Sequence, residues 1–220
     1  MKTNMILCGD ALDLLAGFPV ESVDLVVTDP PYLVGYRDRF GRSVRNDDNP
    51  DAVLGVYDEL YRVMKDHSYC VTFCGWTAIA GFAGAWDKAG FRTVGHIVWP
   101  KPYASRSGHT RYRHESAYLL AKGFPKLPAD PPSDIQPWDY TGNRRHPTQK
   151  AVSVLAPLIR AYSKPGDVVL DPFAGSGSTL VAAMQERRRW LGIELEQDYC
   201  DSARERIARM QCLADWPNAA

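Results

Sequence analysis

Asp29-Pro30-Pro31-Tyr32 stands where a hydrophobic run, Val23 to Thr28, ends. Two consecutive prolines stiffen that turn and fix where the Asp29 carboxylate and the Pro30 carbonyl point. Both are acceptors, suited to the two N–H bonds of an exocyclic amino group. Tyr32 adds an aromatic face on which a planar base can stack, worth ~1–3 kcal/mol. A proline-capped strand exit with a packed tyrosine is the plainer reading of the same four residues, and a second motif outweighs it. Leu170 to Thr179 (LDPFAGSGST) lies between a strand-like run and a helical one. Gly175 and Gly177 let the backbone pass close to a ligand, and the helix that follows offers free amides. Glu194 ends the next apolar run, nineteen positions after Gly175. A carboxylate there can accept from both hydroxyls of a ribose. Leu180 occupies the place of the third glycine in a GxGxxG dinucleotide loop, and GxxxxGK[ST] is absent. A nucleoside-bearing cofactor without a pyrophosphate remains, and S-adenosylmethionine fits. One motif would then supply a methyl donor and the other an amine acceptor.

Local charge suggests what carries the amine. Between Asp87 and Glu115 there are six basic residues, Lys88, Arg92, Lys101, Arg106, Arg111 and Arg113, and no carboxylate. Tyr103 and Tyr112 interleave aromatic rings, and Arg144-Arg145 adds a second basic spot. Such a stretch alone reads as a solvated face, although phosphate contacts, such as those to double-stranded DNA, need a local excess of this kind.

The elements that must position these groups alternate along the chain. Strands are expected at Met5 to Cys8, Val23 to Thr28, Tyr69 to Phe73, Thr93 to Trp99, Ala117 to Ala121, Val168 to Leu170 and Trp190 to Ile193. Helical spacing marks Ala11 to Phe18, Asp51 to Lys65, Ile79 to Ala89, the stretch around Leu155 to Tyr162, Ser178 to Glu186 and Gln197 to Met210. That alternation predicts an α/β fold with a mostly parallel sheet covered on both faces. Residues 1–220 read as one domain. Leu33 to Asn49, with four arginines, reads as a flexible functional loop, and residues 101–145 as a short target-recognition insert.

Composition sets the outer limits. The 220 residues carry 26 basic and 26 acidic side chains, so any affinity for a polyanion must be local. No run approaches the ~18 apolar residues of a membrane span, and the first ten residues lack a signal-peptide core. The expectation is a cytoplasmic, nucleoid-associated protein with no membrane contact. Five cysteines without a CxxC pair argue for reduced thiols and against a metal site.

Taken with Gly9-Asp10, His146-Pro147-Thr148-Gln149-Lys150, Leu191-Gly192-Ile193-Glu194 and Tyr199-Cys200, these motifs resemble one family over nearly the whole chain. It is that of the DNA amino-methyltransferases acting on adenine N6 or cytosine N4, in the group whose catalytic tetrapeptide precedes the cofactor loop. The resemblance implies a doubly wound, seven-stranded Rossmann-like sheet with circularly permuted motif order. It implies catalysis by Asp29, Pro30, Pro31 and Tyr32. Cofactor contacts would come from Asp10, Thr148, Gln149, Lys150, Asp171 and Phe173, and from Gly175, Ser176, Gly177, Ser178 and Glu194. DNA contacts would come from Lys101, Arg106, Arg111, Arg113, Arg144 and Arg145. Asp10 could equally cap the helix at Ala11, and Thr148 the helix after it. The family often has proline after its His-Pro-Thr-Gln-Lys run, where this chain has Ala151.

Competing chemistries fare worse. Methylation of cytosine carbon-5 needs a cysteine after a proline in that family, and none of the five follows one. A zinc deaminase would need H-x-E and P-C-x-x-C, both missing. Asp rather than Ser at the head of the tetrapeptide favours adenine N6 over cytosine N4. RNA or protein glutamine as acceptor, and a silent DNA-binding relative, remain as alternatives. Homodimerisation, a cognate endonuclease and a restriction-modification setting stay open. The short insert predicts a short or degenerate target.

Overall fold

The computed structural model describes residues 1–36, 41, 44–139 and 149–215. Nine strands form among them: β1 (Met5–Cys8), β2 (Val23–Thr28), β3 (Met64–Phe73), β4 (Arg92–Pro100), β5 (Arg106–Ser107), β6 (Arg111–Tyr112), β7 (His114–Lys122), β8 (Val168–Asp171) and β9 (Arg189–Glu194). Helices are α1 (Ala11–Ala16), α2 (Pro50–Leu54), α3 (Val56–Val63), α4 (Ile79–Ala89), α5 (Val152–Tyr162), α6 (Ser178–Gln185) and α7 (Gln197–Asp215).

Seven of the strands make one sheet in the order β1-β9-β8-β2-β3-β7-β4, and β5 pairs with β6 in a separate hairpin. Pairing is parallel from β1 through β3, while β7 is antiparallel to both of its neighbours. The expected doubly wound, mostly parallel sheet is therefore present, with one strand reversed.

Strand side chains alternate between faces with period two, and both faces are apolar. Leu25 and Val27 of β2 join Leu155, Leu158, Ile159 and Leu180 beneath α5 and α6. Val26 between them joins Leu15, Tyr57, Leu60 and Phe82 beneath α1, α3 and α4. Each face thus becomes a closed layer, and the sheet serves as a rigid floor.

One helix departs from its expectation. The spacing from Asp51 to Lys65 predicts a single helix, whereas the chain breaks at Gly55 into α2 and α3. Tertiary pairing then ends α3 early, because Met64 already sits in register with Val23 of β2. The expected loop 33–49 is tied together across its described part. Buried Asp47 accepts from the amides of Leu33 (2.7 Å), Val34 (3.4 Å) and Tyr36. No helix among the described residues is long and apolar enough to cross a membrane.

Four of the motifs leave the sheet at one rim. Asp29 follows β2, Gly9-Asp10 follows β1, the glycine loop follows β8, and Glu194 ends β9. Because β7 is reversed, its first residue His114 lies opposite Pro100 at the end of β4. Residues 101–113 therefore emerge at the same rim as a small hairpin built on β5 and β6. Open α/β sheets place ligands at this carboxyl edge.

Candidate active site

An open cleft of about 930 Å³ runs along that rim. Asp10, Asp29, Tyr32, Phe173, Gly175 and Glu194 line it, together with Pro30, Pro31 and the Asp47 end of the 33–49 loop. A second hollow of about 400 Å³ opens on the other side of Asp29 and Phe173. Gln149, Lys150, Asp171, Ser176 and Ser178 line that one. The expected cofactor residues are thus divided between two adjoining spaces.

Gly177 lines neither space. Its φ of 76° makes the turn into α6, and a Cβ there would stand 3.1 Å from Ala203 of α7. Its role in the structure is to let the loop turn and α7 pack close. Asp10 caps α1, its Oδ1 accepting from the Leu12 amide at 2.9 Å, and also borders the larger cleft. Asp10 thus caps the helix from a place on the cleft wall. Thr148, Arg144 and Arg145 lie outside the described residues.

Glu194 braces the glycine loop as well as facing the cleft. Its Oε2 accepts from the Gly175 amide and its Oε1 from the Glu196 amide, both at 2.8 Å. Burial raises the Glu194 carboxyl above its ordinary range, and the amides partly offset it. Asp171 is buried beneath the loop, where its Oδ1 accepts from the Phe173 amide at 3.1 Å. Desolvation pushes the Asp171 carboxyl up to about 7. Carboxylates for hydroxyls, loop amides and the apolar Phe173 side chain together suit a nucleoside-bearing ligand.

The tetrapeptide carboxylate is held from two sides. Asp29 Oδ1 accepts from the Tyr32 hydroxyl at 2.8 Å, and its Oδ2 accepts from Lys150 Nζ at 2.7 Å. Lys150 is buried, 3.2 Å from the Tyr32 oxygen, with its ammonium 4.8 Å from the centre of the Phe73 ring. Burial raises the Asp29 carboxyl, and Lys150 counters part of the rise. The Tyr32 phenol stays well above its ordinary value, through burial and the adjacent Asp29 carboxylate. Lys150, expected among the cofactor contacts, thus has its ammonium on the Asp29 carboxylate. Each carboxylate oxygen has two lone pairs, so Asp29 retains acceptor capacity for a substrate amine.

Lys101 departs from its expected place on DNA. It is 4% exposed, and its Nζ lies 2.6 Å from Glu115 Oε1 and 3.0 Å from Ser105 Oγ. A buried ammonium needs a partner, and Glu115 at the start of β7 provides it. Burial pushes Glu115 up, but Lys150 and Lys101 together overcome this and hold its carboxyl below the ordinary range. Asp29, Lys150, Glu115 and Lys101 form an alternating set of charges under the rim. Glu115 and Asp47 carried no motif signal; only the reversal of β7 and the fold of the loop bring them here. Arg111 and Arg113 remain exposed on the hairpin, as expected of phosphate contacts, while only the backbone of Arg106 is described.

Residues 23–205 match the family model described as DNA methylase, for N6 and N4 amino-methyltransferases. YubD of Escherichia coli (strain K12), a putative methylase by name, is 48% identical over 203 residues, covering 92% of this chain and 89% of its own. DNA adenine methyltransferase YhdJ of the same strain is 28% identical over 247 residues, covering 94% of this chain and 83% of its own. Among solved structures, TTHA0409 from Thermus thermophilus, complexed with S-adenosyl-L-methionine, superposes with a TM-score of 0.73. It is 28% identical and covers 93% of each chain.

Proposed function

Because the chain belongs to the N6/N4 DNA methylase family, we propose that it methylates adenine N6 at a short DNA target. It is an S-adenosylmethionine-dependent DNA methyltransferase. One observation carries the transfer chemistry: Asp29 to Tyr32 and the Gly175–Glu194 pair line a single cleft. Donor and acceptor subsites thus share one wall. The cofactor supplies an electrophilic methyl on a sulfonium sulfur.

The chain's own residues would do the rest. An amino group inside a duplex cannot reach an enclosed cleft, so the base must be flipped out at a cost of a few kcal/mol. Tyr32 stacks on the base, and its bond to Asp29 fixes the ring. Asp29 and the Pro30 carbonyl accept from the amine protons, drawing the nitrogen lone pair out of conjugation with the ring. Lys150 keeps the Asp29 carboxylate ionised for that task. Glu194 and Asp10 would hold the nucleoside side of the cofactor, and the residues around Asp171 would line the rest of its site. Holding the reactants in near-attack geometry lowers the barrier without a covalent enzyme intermediate.

Two features favour adenine: Asp at the head of the tetrapeptide, and similarity to YhdJ, an adenine methyltransferase by name. A short target follows from the hairpin. A bidentate base contact gives ~1–3 kcal/mol of discrimination, and the few exposed arginines there also serve phosphates. Sequencing that maps modified bases in DNA from cells expressing the protein tests both points. N6-methyladenine within a few fixed bases is expected. N4-methylcytosine would overturn the base assignment, and one long fixed sequence would overturn the target size.

A further inference from the structure

Trp76 is an aromatic side chain that the chemistry above leaves unused. It begins the 3-10 turn Trp76–Ala78 directly after β3, and it is 51% exposed despite its size. Register fixes its place. Thr28 pairs with Thr72 on neighbouring parallel strands, so the segments that carry Tyr32 and Trp76 leave the sheet from adjacent strands. Gly75 between them has no side chain, and a Cβ there would come 3.1 Å from the Tyr32 ring. The backbone carrying Trp76 therefore runs against the catalytic tyrosine, while the indole lies outside the cleft that Tyr32 lines.

The indole is braced from the hairpin. Its ring meets Tyr112 edge to face, with centroids 5.6 Å apart and planes at 76°. Tyr112 is held in turn by its carbonyl, which accepts from the Ser105 amide at 2.9 Å. Exposed Arg111 and Arg113 flank Tyr112 in sequence, so the hairpin that braces the indole is cationic. An exposed indole beside positive charge suits a polyanion that also offers flat apolar faces, which a nucleic acid does.

We propose that Trp76, braced by Tyr112, stacks on the DNA base next to the flipped nucleotide and so holds the duplex open. Extrusion of a base removes one stacking partner from each neighbour, and an aromatic face at the gap replaces it. Tyr32 would then serve the base inside the cleft and Trp76 the stack outside. The inference rests on Tyr32 holding the flipped base, and it holds for adenine or cytosine alike.

The test uses two duplexes carrying the target mapped by sequencing, one fully paired and one with an abasic site opposite the target base. The abasic duplex has already given up the pairing that flipping must break. Trp76→Ala should lower kcat/KM about tenfold or more on the paired duplex yet stay within about threefold of wild type on the abasic one. Trp76→Phe should recover most of the loss, and cofactor affinity should match wild type in both variants. Equal losses on the two duplexes, or wild-type turnover of Trp76→Ala on paired DNA, would overturn the proposal. Tyr32→Ala separates the two readings, since it should fail on both duplexes. If instead it keeps turnover on both, the assignment of Tyr32 fails and the role of Trp76 falls with it, whereas equal losses from Trp76→Ala overturn the role of Trp76 alone.

Discussion

Lys150 Nζ stands 2.7 Å from Asp29 Oδ2 across 121 positions of chain. The pair joins the approach to α5 with the end of β2, and its charge state bears directly on catalysis. On the proposed mechanism Asp29 acts as a carboxylate, so methyl transfer should fall as pH drops through its pKa. Burial raises that pKa and Lys150 counters the rise. Lys150→Met should therefore move the acid limb of the kcat/KM profile to higher pH and lower activity at neutrality. Steady-state rates across the acid range check this; an unmoved limb would leave Lys150 a packing role only.

Asp29→Ala should abolish most methyl transfer while leaving cofactor affinity close to wild type. The lost acceptor acts on the amine, at ~1–3 kcal/mol for a ground-state hydrogen bond and more if the bond tightens in the transition state. Labelled-methyl transfer to duplex DNA, beside calorimetric titration of S-adenosylmethionine, separates the two effects. Near wild-type turnover would remove Asp29 from the chemistry.

Glu194→Ala should act on the other substrate. Loss of charge-assisted contacts to a ribose is expected to weaken S-adenosylmethionine binding by roughly 1–3 kcal/mol. The same carboxylate braces Gly175, so part of the loss would come from a looser loop. Titration of the folded variant gives the answer, and equal affinities would confine Glu194 to that bracing.

Asp171 makes stability depend on pH. Its pKa rises from an ordinary 3.8 to about 7 on folding, so between those values the folded state binds the extra proton. Its stabilising contribution is therefore present in acid and is lost as pH rises toward 7. Asp171→Asn keeps an acceptor for the Phe173 amide and removes the titration. Its Tm relative to wild type should increase from pH 5 to pH 8, at about 2–4 °C per kcal/mol for a chain of this size. A pH-independent difference would show that the carboxyl titrates normally.

Much of this was legible in the chain itself. Hydrophobic runs located β1, β2 and β8 to the residue or nearly so, since a buried parallel strand must be apolar on both faces. Asp29 and Gly175 were legible for a related reason: each sits where such a run stops, at the edge where ligands bind. Less legible was anything set by contact between distant segments. Lys150 reads as a member of a loop motif, and only packing shows its ammonium on Asp29. Lys101 reads as one of six basic residues, and only the β4–β7 pairing shows it buried against Glu115. The break at Gly55 was missed because helical spacing continues across it, while the pairing of Met64 to Val23 decides where α3 must end.

The reversed strand has a consequence for the hairpin at the rim. With β7 running against β4, the 101–113 segment leaves and rejoins the sheet at neighbouring points, Pro100 and His114. A stretch anchored that way behaves as a cassette: it can lengthen, shorten or be exchanged while the ladder beneath keeps its register. Lys101 and Glu115 act as the clasp at its base, one on each arm. The hairpin can therefore be altered at the rim while Asp29, two strands further in, and the Lys150 beside it stay where they are.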